Sequence, residues 1–282
     1  MSVLVSINCT TYNHEEHIGD ALEGFLMQKT DFDYEILIGE DCSTDNTLKV
    51  IRSYQDKHPD RIKLIISETN KGGRRNSLNL LNISEGTYIA KCEGDDFWTD
   101  PYKLQKQVDV MRKNPNCTLC AHGATITNAQ KVPTGDVVNP YNQSTFVQMQ
   151  HIITHGAVMF PTCSLLYKKE ALENLPNFYY NAHVGDYPLI MILASRGDVY
   201  YLNELMSVYK TGVAGSWTQR TLSGEDQTYK SIKNLEKDMW ILNEFNSFTK
   251  GVYQSFINDA KNNRKRVIMS SIKDYLERIK HL

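Results

Sequence analysis

A strand-like segment runs directly into a cluster of carboxylates at residues 88–98, which read YIAKCEGDDFW. The first five of these residues have the apolar character of a buried β-strand. Glu93, Asp95 and Asp96 then place three carboxylates within four positions, around Gly94. Carboxylates this close resist being ionised together unless a positive charge lies among them. We therefore expect a cation or another positive group at the end of this strand.

Segments of strand character alternate with segments of helical periodicity over residues 3–100. This alternation predicts an α/β fold with a mostly parallel, Rossmann-like sheet flanked by helices. Asn13 and Glu16 are spaced like a capping pair for the first helix. The predicted strands are VLVSINC (3–9), YEILIGE (34–40), IKLIIS (62–67) and TYIAKC (87–92), and the predicted helices are NHEEHIGDALEGFLMQ (13–28), STDNTLKVIRSY (43–54) and a run from about Arg75 to Ile83.

Polar turns follow three of the predicted strands: TTYN (10–13), GEDCSTD (39–45) and EGDD (93–96). In sheets of this kind, ligands bind in the crevice at the carboxyl ends of the strands. Each turn taken alone is explained as a helix cap or an ordinary turn. The joint placement of all three favours a binding crevice.

The chemistry of that crevice is limited by what the sequence lacks. Neither a GxxxxGK[ST] loop nor a GxGxxG turn follows the first strand, so a bound diphosphate must be neutralised in another way. Clustered carboxylates that hold a hard divalent cation would serve. NKGGRRN (70–76) adds two glycines and two arginines, and for Arg74 alone a solvated loop residue is the favoured interpretation.

Four segments together resemble glycosyltransferase family 2. TTYNHEEHI (10–18), GEDCSTDNT (39–47), NKGGRRN (70–76) and GTYIAKCEGDD (86–96) occur in the order and spacing of its nucleotide-sugar-binding half. The resemblance implies the GT-A fold and an inverting, metal-dependent reaction. It also implies a nucleotide-sugar donor, usually a UDP-sugar, and Mn or Mg as the divalent cation.

The resemblance also implies residue roles. The acidic stretch corresponds to the DxD motif, which makes Asp95 the metal ligand. Glu93 would stand near the ribose or a metal-bound water, and it occupies the position at which the motif usually has Asp. Asp96 would lie close to the metal and the ribose. Glu40 and Cys42 replace the more usual Asp and Gly. The remaining donor-binding positions are Thr10, Tyr12 and Asn13 along the nucleoside, and Asp41 with Arg75 at the base.

Sugar transfer also requires a base that takes the proton from the acceptor hydroxyl. The segment HVGDYPLIMILASRGDVYYL (183–202) carries Asp186 just before a predicted helix. By position alone Asp186 is best explained as an N-cap. The resemblance makes it the catalytic Asp, usually preceded by Glu where this chain has Gly185, and His183 is a weaker alternative.

A second departure from the family lies in SVYKTGVAGSWT (207–218). This segment resembles the family's closing motif, with Lys210 in place of Arg and Gly212 in place of His. Lys210 keeps a positive charge that can pair with a phosphate. The two glycines of this segment suit a loop that closes over the donor, although such loops are often only loops.

Composition excludes several classes of protein. The 282 residues are 41% hydrophobic and 23% charged, which is typical of a globular enzyme, and a formal net charge of -2 gives no general attraction to nucleic acid. The longest apolar run, LIMILA (189–194), is too short to cross a bilayer. We predict a cytoplasmic protein.

The pair Cys117 and Cys120, followed by His122, is open to a redox or zinc role, but a buried strand is favoured.

We predict a GT-A domain over residues 1–218, with nucleotide-sugar binding in 1–100 and the acceptor side in 101–218, followed by a C-terminal helical region at 219–282. Residues 232–245 carry an apolar stripe of Ile232, Leu235, Met239, Leu242 and Phe245. Residues 261–280 contain seven Lys or Arg against two acids. Such a basic end suits either peripheral contact with the inner face of a membrane or a solvated helix end.

The predicted function is transfer of a sugar from a nucleotide diphosphate to a hydroxyl of a glycan or lipid-linked glycan. One alternative is a sugar-phosphate nucleotidyltransferase, which also combines a Rossmann-like sheet with a divalent cation. Another is a non-catalytic nucleotide- or glycan-binding module. The carboxylates Glu93, Asp95, Asp96 and Asp186 argue against that module.

Overall fold

The computed structural model describes residues 3–216, 219 and 227–280, and within them ten strands form one sheet. The strands are β1 (Val5–Thr11), β2 (Tyr34–Glu40), β3 (Ile62–Ile66), β4 (Tyr88–Glu93), β5 (Phe97–Trp98), β6 (Cys117–Asn128), β7 (Pro133–Val138), β8 (Thr145–Phe146), β9 (Leu166–Lys168) and β10 (Asp198–Thr211). The helices are α1 (Ile18–Leu26), α2 (Thr47–Gln55), α3 (Gly73–Ile83), α4 (Lys103–Lys113), α5 (Met149–His155), α6 (Asn177–Asn181), α7 (Asp186–Arg196), α8 (Gln227–Phe248) and α9 (Gln254–Lys280).

The sheet has the strand order β3-β2-β1-β4-β9-β6-β10-β5, with β7 paired to β6 and β8 to β10. Its first four strands are parallel, and α1, α2 and α3 connect them. The predicted alternation of strands and helices is confirmed. Beyond β4 the sheet becomes mixed, because β9 runs antiparallel to both β4 and β6, whereas β10 runs parallel to β6.

Side chains alternate across the sheet and divide the apolar core in two. Along β4, Ile89 faces one core while Ala90 and Cys92 face the other, as the two-residue period of a strand requires. The core that contains Ala90 also contains buried residues of α1, α2 and α4. The core that contains Ile89 includes buried residues of α5, α7, α8 and α9. The C-terminal helices therefore share a core with the second half of the sheet.

The predicted capping pair at the first helix is wrong. Helix α1 begins at Ile18, and His17 at its N-cap position makes no side-chain capping bond. Asn13 instead adopts the left-handed conformation (φ 55°), which asparagine tolerates better than most residues. Its Oδ1 accepts the backbone amide of Thr44 at 2.8 Å, so Asn13 joins two turns of the crevice and does not cap α1.

The CxxC segment forms part of a buried strand. Cys117 and Cys120 lie on β6 with fully buried side chains, and His122 on the same strand is also buried. All six cysteines of the chain fall among the described residues, and none forms a disulfide. Burial raises the pKa of Cys117 to about 11, which disfavours the thiolate needed for redox or metal chemistry. The buried-strand interpretation is confirmed.

On α8, the fully buried residues lie at the C-terminal end of the predicted apolar stripe. Leu242 and Phe245 are fully buried as predicted, and Ile241, which the prediction omitted, is buried with them. Ile232, Leu235 and Met239 are only partly buried. Among residues 3–216 and 227–280, no helix is long and apolar enough to cross a membrane.

Candidate active site

The three polar turns meet at one edge of the sheet. The amide of Gly94, after β4, donates to the carbonyl of Thr10 at 3.0 Å, and the amide of Asp41, after β2, donates to the carbonyl of Thr11 at 3.0 Å. The central strand β1 therefore holds the other two turns by direct backbone bonds. Tyr12 projects from the same edge with an exposed ring.

The acidic stretch places its three carboxylates in different surroundings. Asp96 is buried, whereas Glu93 and Asp95 are partly exposed. Burial, together with the charges of Asp95 and Asp186, raises the pKa of Glu93 to about 7 against the opposing charge of Lys91. Burial and the charges of Asp95 and Glu93 raise the pKa of Asp96 well above its ordinary value. The cluster is therefore short of positive charge, as the sequence suggested.

Lys210 does not supply that charge to the crevice. Its side chain is fully buried, its Nζ lies 3.0 Å from Oδ2 of Asp20, and it stands 5.0 Å from the centre of the Phe97 ring. Asp20 also accepts from Lys131 at 2.8 Å. Burial opposes ionisation of Asp20, but the hydrogen bonds from both lysines lower its pKa. The structure thus gives Lys210 a carboxylate partner within the protein where the sequence predicted a phosphate.

His14 is a site residue that the sequence analysis missed. Its Nε2 lies 4.0 Å from Oδ2 of Asp95, and its Nδ1 lies 3.2 Å from Oγ1 of Thr11. A Cβ atom added at Gly94 would stand 2.9 Å from Nδ1 of His14, so the glycine of the acidic stretch makes room for this ring. The signal was present in the sequence, because His14 follows directly on the TTYN turn.

Asp41 organises the loop that carries the two arginines. Its buried carboxylate accepts the backbone amides of Lys71 and Gly72, each at 2.8 Å. Gly72 has φ 83°, a left-handed conformation suited to glycine, and α3 begins at the next residue. Arg75 is exposed on the first turn of α3.

Arg74 is not a solvated loop residue, so that interpretation is wrong. It lies on the first turn of α3, where its Nη1 donates to the carbonyl of Val184 at 3.0 Å and its guanidinium stacks 4.6 Å from the ring centre of Tyr179. A Cβ atom at Gly185 would lie 3.2 Å from Nη1 of Arg74. The prediction failed because both contacts join distant parts of the chain, and Val184 lies 110 positions from Arg74.

Asp186 is the first residue of α7, and its Oδ1 accepts the amide of Tyr187 at 2.8 Å. Its charge raises the pKa of Glu93, so the two carboxylates are electrostatic neighbours although 93 positions separate them. The alternative base, His183, pairs with Asp238 at 3.4 Å. Burial and the charge of Lys237 lower the pKa of His183 to about 4.

Comparison with known proteins decides the family. The family model described as Glycosyl transferase family 2 matches residues 6–175, which include the three strand-end turns and the acidic stretch. The chain belongs to glycosyl transferase family 2. An uncharacterized protein of Mycobacterium tuberculosis is 32% identical over 214 residues, which are 76% of this chain and 60% of that relative. The chain thus spans 60% of the length of this relative.

Solved glycosyltransferase structures share the fold of this family 2 chain. TarS 1-349 of S. aureus, in complex with UDP-GlcNAc, matches with a TM-score of 0.62 at 17% identity. The match covers 98% of this chain and 81% of the TarS chain. The mannosyltransferase PcManGT of Pyrobaculum calidifontis, in complex with GDP-Man and Mn2+, has a TM-score of 0.64 at 14% identity, covering 98% of this chain and 76% of that chain. The predicted GT-A fold is confirmed, with helices at the C-terminus.

The acidic residues of this family 2 chain fit a divalent cation that binds together with a diphosphate. Within the described ranges, no three His, Cys, Asp or Glu side chains converge as a ready metal site. Asp95 is partly exposed and Glu93 has a raised pKa, so carboxylate oxygen is present without a compensating cation. Such hard oxygen ligands suit Mg or Mn, with phosphate oxygens completing the shell.

Trp217 and Thr218 of the predicted closing segment lie outside the described residues.

Proposed function

We propose that this glycosyltransferase transfers a sugar from a nucleoside diphosphate, in particular a UDP-sugar, to a hydroxyl group of a glycan or lipid-linked glycan, with inversion at the anomeric carbon. The observation that carries the proposal is the 3.0 Å hydrogen bond from Nη1 of Arg74, on the first turn of α3, to the carbonyl of Val184, which holds the segment before Asp186 against the helix that carries Arg75. The charge of Asp186 also raises the pKa of Glu93 at the end of β4. A base for the acceptor and carboxylates for the donor side then face one crevice. Family membership favours transfer over the nucleotidyltransferase alternative.

Residues of the three strand-end turns would hold the donor. The exposed ring of Tyr12 offers a stacking surface for a nucleoside, and Thr10 and Asn13 flank it at the end of β1. Asp41 sets the conformation of the loop at residues 70–72, and Arg75 stands exposed on the helix that follows. These are the positions that the family resemblance assigns to the nucleotide. Lys210 would support the donor site through its backbone amide, which donates to Oδ1 of Asp96 at 2.7 Å, while its Nζ pairs with Asp20.

Asp186 would act as the base. Its bond to the amide of Tyr187 fixes the carboxylate at the start of α7. As the acceptor oxygen forms a bond to the anomeric carbon, Asp186 takes its proton, and the bond from that carbon to the diphosphate oxygen breaks on the opposite face. A positioned base typically contributes about 10² to 10⁴ in rate. His183 is the poorer candidate, because a ring with a pKa of about 4 holds a proton weakly near neutral pH.

Asp95 would hold Mn or Mg, with Glu93 next to it. A divalent cation bound there neutralises negative charge on the departing diphosphate. Without it, the donor's phosphates would meet the carboxylates of the acidic stretch as like charges. Burial and, to a smaller extent, the neighbouring carboxylates raise the pKa values of Glu93 and Asp96, and a cation bound beside them would stabilise their ionised forms, which supports this role.

The basic C-terminal helix supports contact with a membrane that carries the acceptor. On α9, Lys265 and Arg266 are exposed beside the exposed apolar side chains of Val267 and Met269. Exposed cations and apolar groups side by side suit the anionic surface of a bilayer. We therefore place the enzyme in the cytoplasm, peripheral to the inner face of the membrane.

The proposal is tested by incubating the full-length protein with Mn, a panel of nucleotide sugars and candidate glycan acceptors, and measuring the released nucleotide. We expect UDP to be released from one UDP-sugar, and Asp95→Asn to abolish the release. Asp56→Asn, an exposed carboxylate after α2, is the matched control and should be active. In a parallel incubation with a nucleoside triphosphate and a sugar 1-phosphate, formation of a nucleotide sugar with release of pyrophosphate would indicate a nucleotidyltransferase. Binding of the nucleotide sugar without release of UDP would indicate a non-catalytic module.

A further inference from the structure

We propose that Asp238 of α8 and Arg264 of α9 are positioning residues that hold residues 183–187, and through them Asp186, in place for catalysis. The inference rests on the proposed role of Asp186 as the base. It makes the C-terminal helices part of the catalytic unit. The family match ends at residue 175, so all of these residues lie beyond it.

Asp238 holds one side of the segment. Its Oδ1 lies 3.4 Å from Nε2 of His183, and its Oδ2 lies 3.6 Å from Nε of Arg264. The carboxylate thus sits between a residue three positions before Asp186 and a residue of the last helix. Burial raises the pKa of Asp238 and the charge of Asp186 raises it further, while Arg264 opposes the shift, so the two aspartates are electrostatic neighbours.

Arg264 holds the other side. Its side chain is buried, and its Nη2 donates to the hydroxyl of Tyr187 at 3.2 Å. That hydroxyl donates in turn to the carbonyl of Ile153 on α5 at 2.7 Å. Tyr187 is the residue whose amide binds Oδ1 of Asp186. A chain of direct contacts therefore runs from α9 to the carboxylate of the base.

Packing makes these two helices a firm support. Ile241 and Phe245 of α8 and Ile257 and Ala260 of α9 are fully buried in the core that also contains Tyr187. Buried side chains that interlock in this way resist small displacements. The ends of the segment at residues 183–187 are thus fixed to a dense core.

Positioning of this kind matters because proton transfer depends on distance. A displacement of about 1 Å at a reacting group can cost roughly 10²-fold in rate. Contacts on both sides of Asp186 restrict its backbone, whereas the donor-binding turns follow β1, β2 and β4 and are held to one another by backbone hydrogen bonds. Weakening the support should therefore affect transfer and leave nucleotide binding intact.

The test uses full-length protein and compares Asp238→Asn with Glu236→Gln. Glu236 lies on the same helix, where its exposed carboxylate pairs only with Lys233 among the described residues. We expect Asp238→Asn to lower kcat for transfer by about 10- to 100-fold, with donor KM and UDP Kd unchanged. The Glu236→Gln control should match the wild type in kcat, donor KM and UDP Kd. Tyr187→Phe, which removes only the hydroxyl that Arg264 binds, should lower kcat in the same way and carries the test if Asp238→Asn fails to fold.

A double variant that combines Asp238→Asn with Asp186→Asn shows whether Asp238 acts through the base. In that background we expect Asp238→Asn to have no further effect on kcat, since residues that act as a unit are not additive. Multiplicative losses, a fall in UDP affinity, or a kcat equal to that of the Glu236→Gln control would overturn the inference. Near-normal transfer by Asp186→Asn alone would instead overturn the assignment of the base in the proposed function, and this inference with it.

Discussion

The backbone amide of Lys210 donates a 2.7 Å hydrogen bond to Oδ1 of Asp96. Asp96 is almost fully buried, and the bond ties the end of β10 to the turn after β4. The last carboxylate of the acidic stretch therefore faces the protein, whereas Asp95 is partly exposed. Two neighbouring aspartates have different tasks, one structural and one available to a ligand.

Replacing Asp96 by Ala should lower the free energy of unfolding by about 1 to 3 kcal/mol, because the buried amide of Lys210 loses its acceptor. Asp96→Asn keeps an oxygen acceptor of the same shape and is the matched control. Denaturant unfolding of the two variants and the wild type measures the difference. Equal stability of Asp96→Ala and the wild type would show that the bond is not needed.

The raised pKa of Glu93 makes the stability of the metal-free protein depend on pH. Burial, with the charges of Asp95 and Asp186, raises this pKa from 4.5 to about 7 despite the opposing charge of Lys91. The folded state therefore holds the proton more tightly than the unfolded state. The stabilisation is complete below about pH 4.5 and is lost as the pH rises through about 7.

We accordingly expect the melting temperature of the wild type to fall relative to that of Glu93→Gln between pH 5 and pH 8. The glutamine variant resembles the protonated acid and lacks this titration. Thermal unfolding of both proteins in EDTA across the range measures the difference. A difference that does not change with pH would contradict the prediction.

UDP should bind only with a divalent cation. Glu93 and Asp95 present partly exposed carboxylates to the crevice region, and they repel a diphosphate when no cation lies between them. Calorimetric titration with UDP should show strong binding in Mn and weak binding in EDTA. Equal affinity in both conditions would exclude the metal role of Asp95.

The two arginines of NKGGRRN should behave differently on substitution. Arg75→Ala should weaken donor binding by about 1.5 to 3 kcal/mol, the usual value of a charge-assisted hydrogen bond. Arg74→Ala should leave UDP affinity close to normal, since its guanidinium already binds Val184 and Tyr179. UDP affinities of the two variants measure the difference, and equal losses would count against the assignment of Arg75 to the nucleotide.

Asp186→Asn should fold and bind UDP normally but transfer sugar about 10² to 10⁴ times more slowly. Asparagine keeps the shape of the side chain and its oxygen acceptor for the amide of Tyr187, but it cannot take a proton. Transfer rate, UDP affinity and melting temperature should be measured on one preparation. Near-normal transfer, or a loss that follows a lower melting temperature, would leave Asp186 a structural residue and direct attention to His183.

The N-terminal half of the site was predictable from sequence, because its parts are local. The turns at Thr10, Asp41 and Asp95 each follow a strand directly, and parallel strands bring their ends to one edge. His14 escaped notice although it follows the first turn, because its proximity to Asp95 depends on the space left by Gly94.

The contacts between distant parts of the chain were not predictable in this way. Lys210 was expected near a phosphate and lies against Asp20, and Arg74 was expected in solvent and lies against Val184. A charged side chain has several possible partners in the sequence, and only packing decides which one comes within hydrogen-bonding distance.

The sequence by itself determined the order of strands and helices, the parallel start of the sheet and the edge at which the carboxylates gather. These features follow from periodicity and from residues adjacent in the chain, so local chemistry is sufficient to specify them. Only the tertiary structure decided that Asp186 approaches Glu93 and that Asp238 and Arg264 flank it. Those relationships depend on how α7, α8 and α9 pack in a shared core. The sequence of one segment does not show which other segments it packs against.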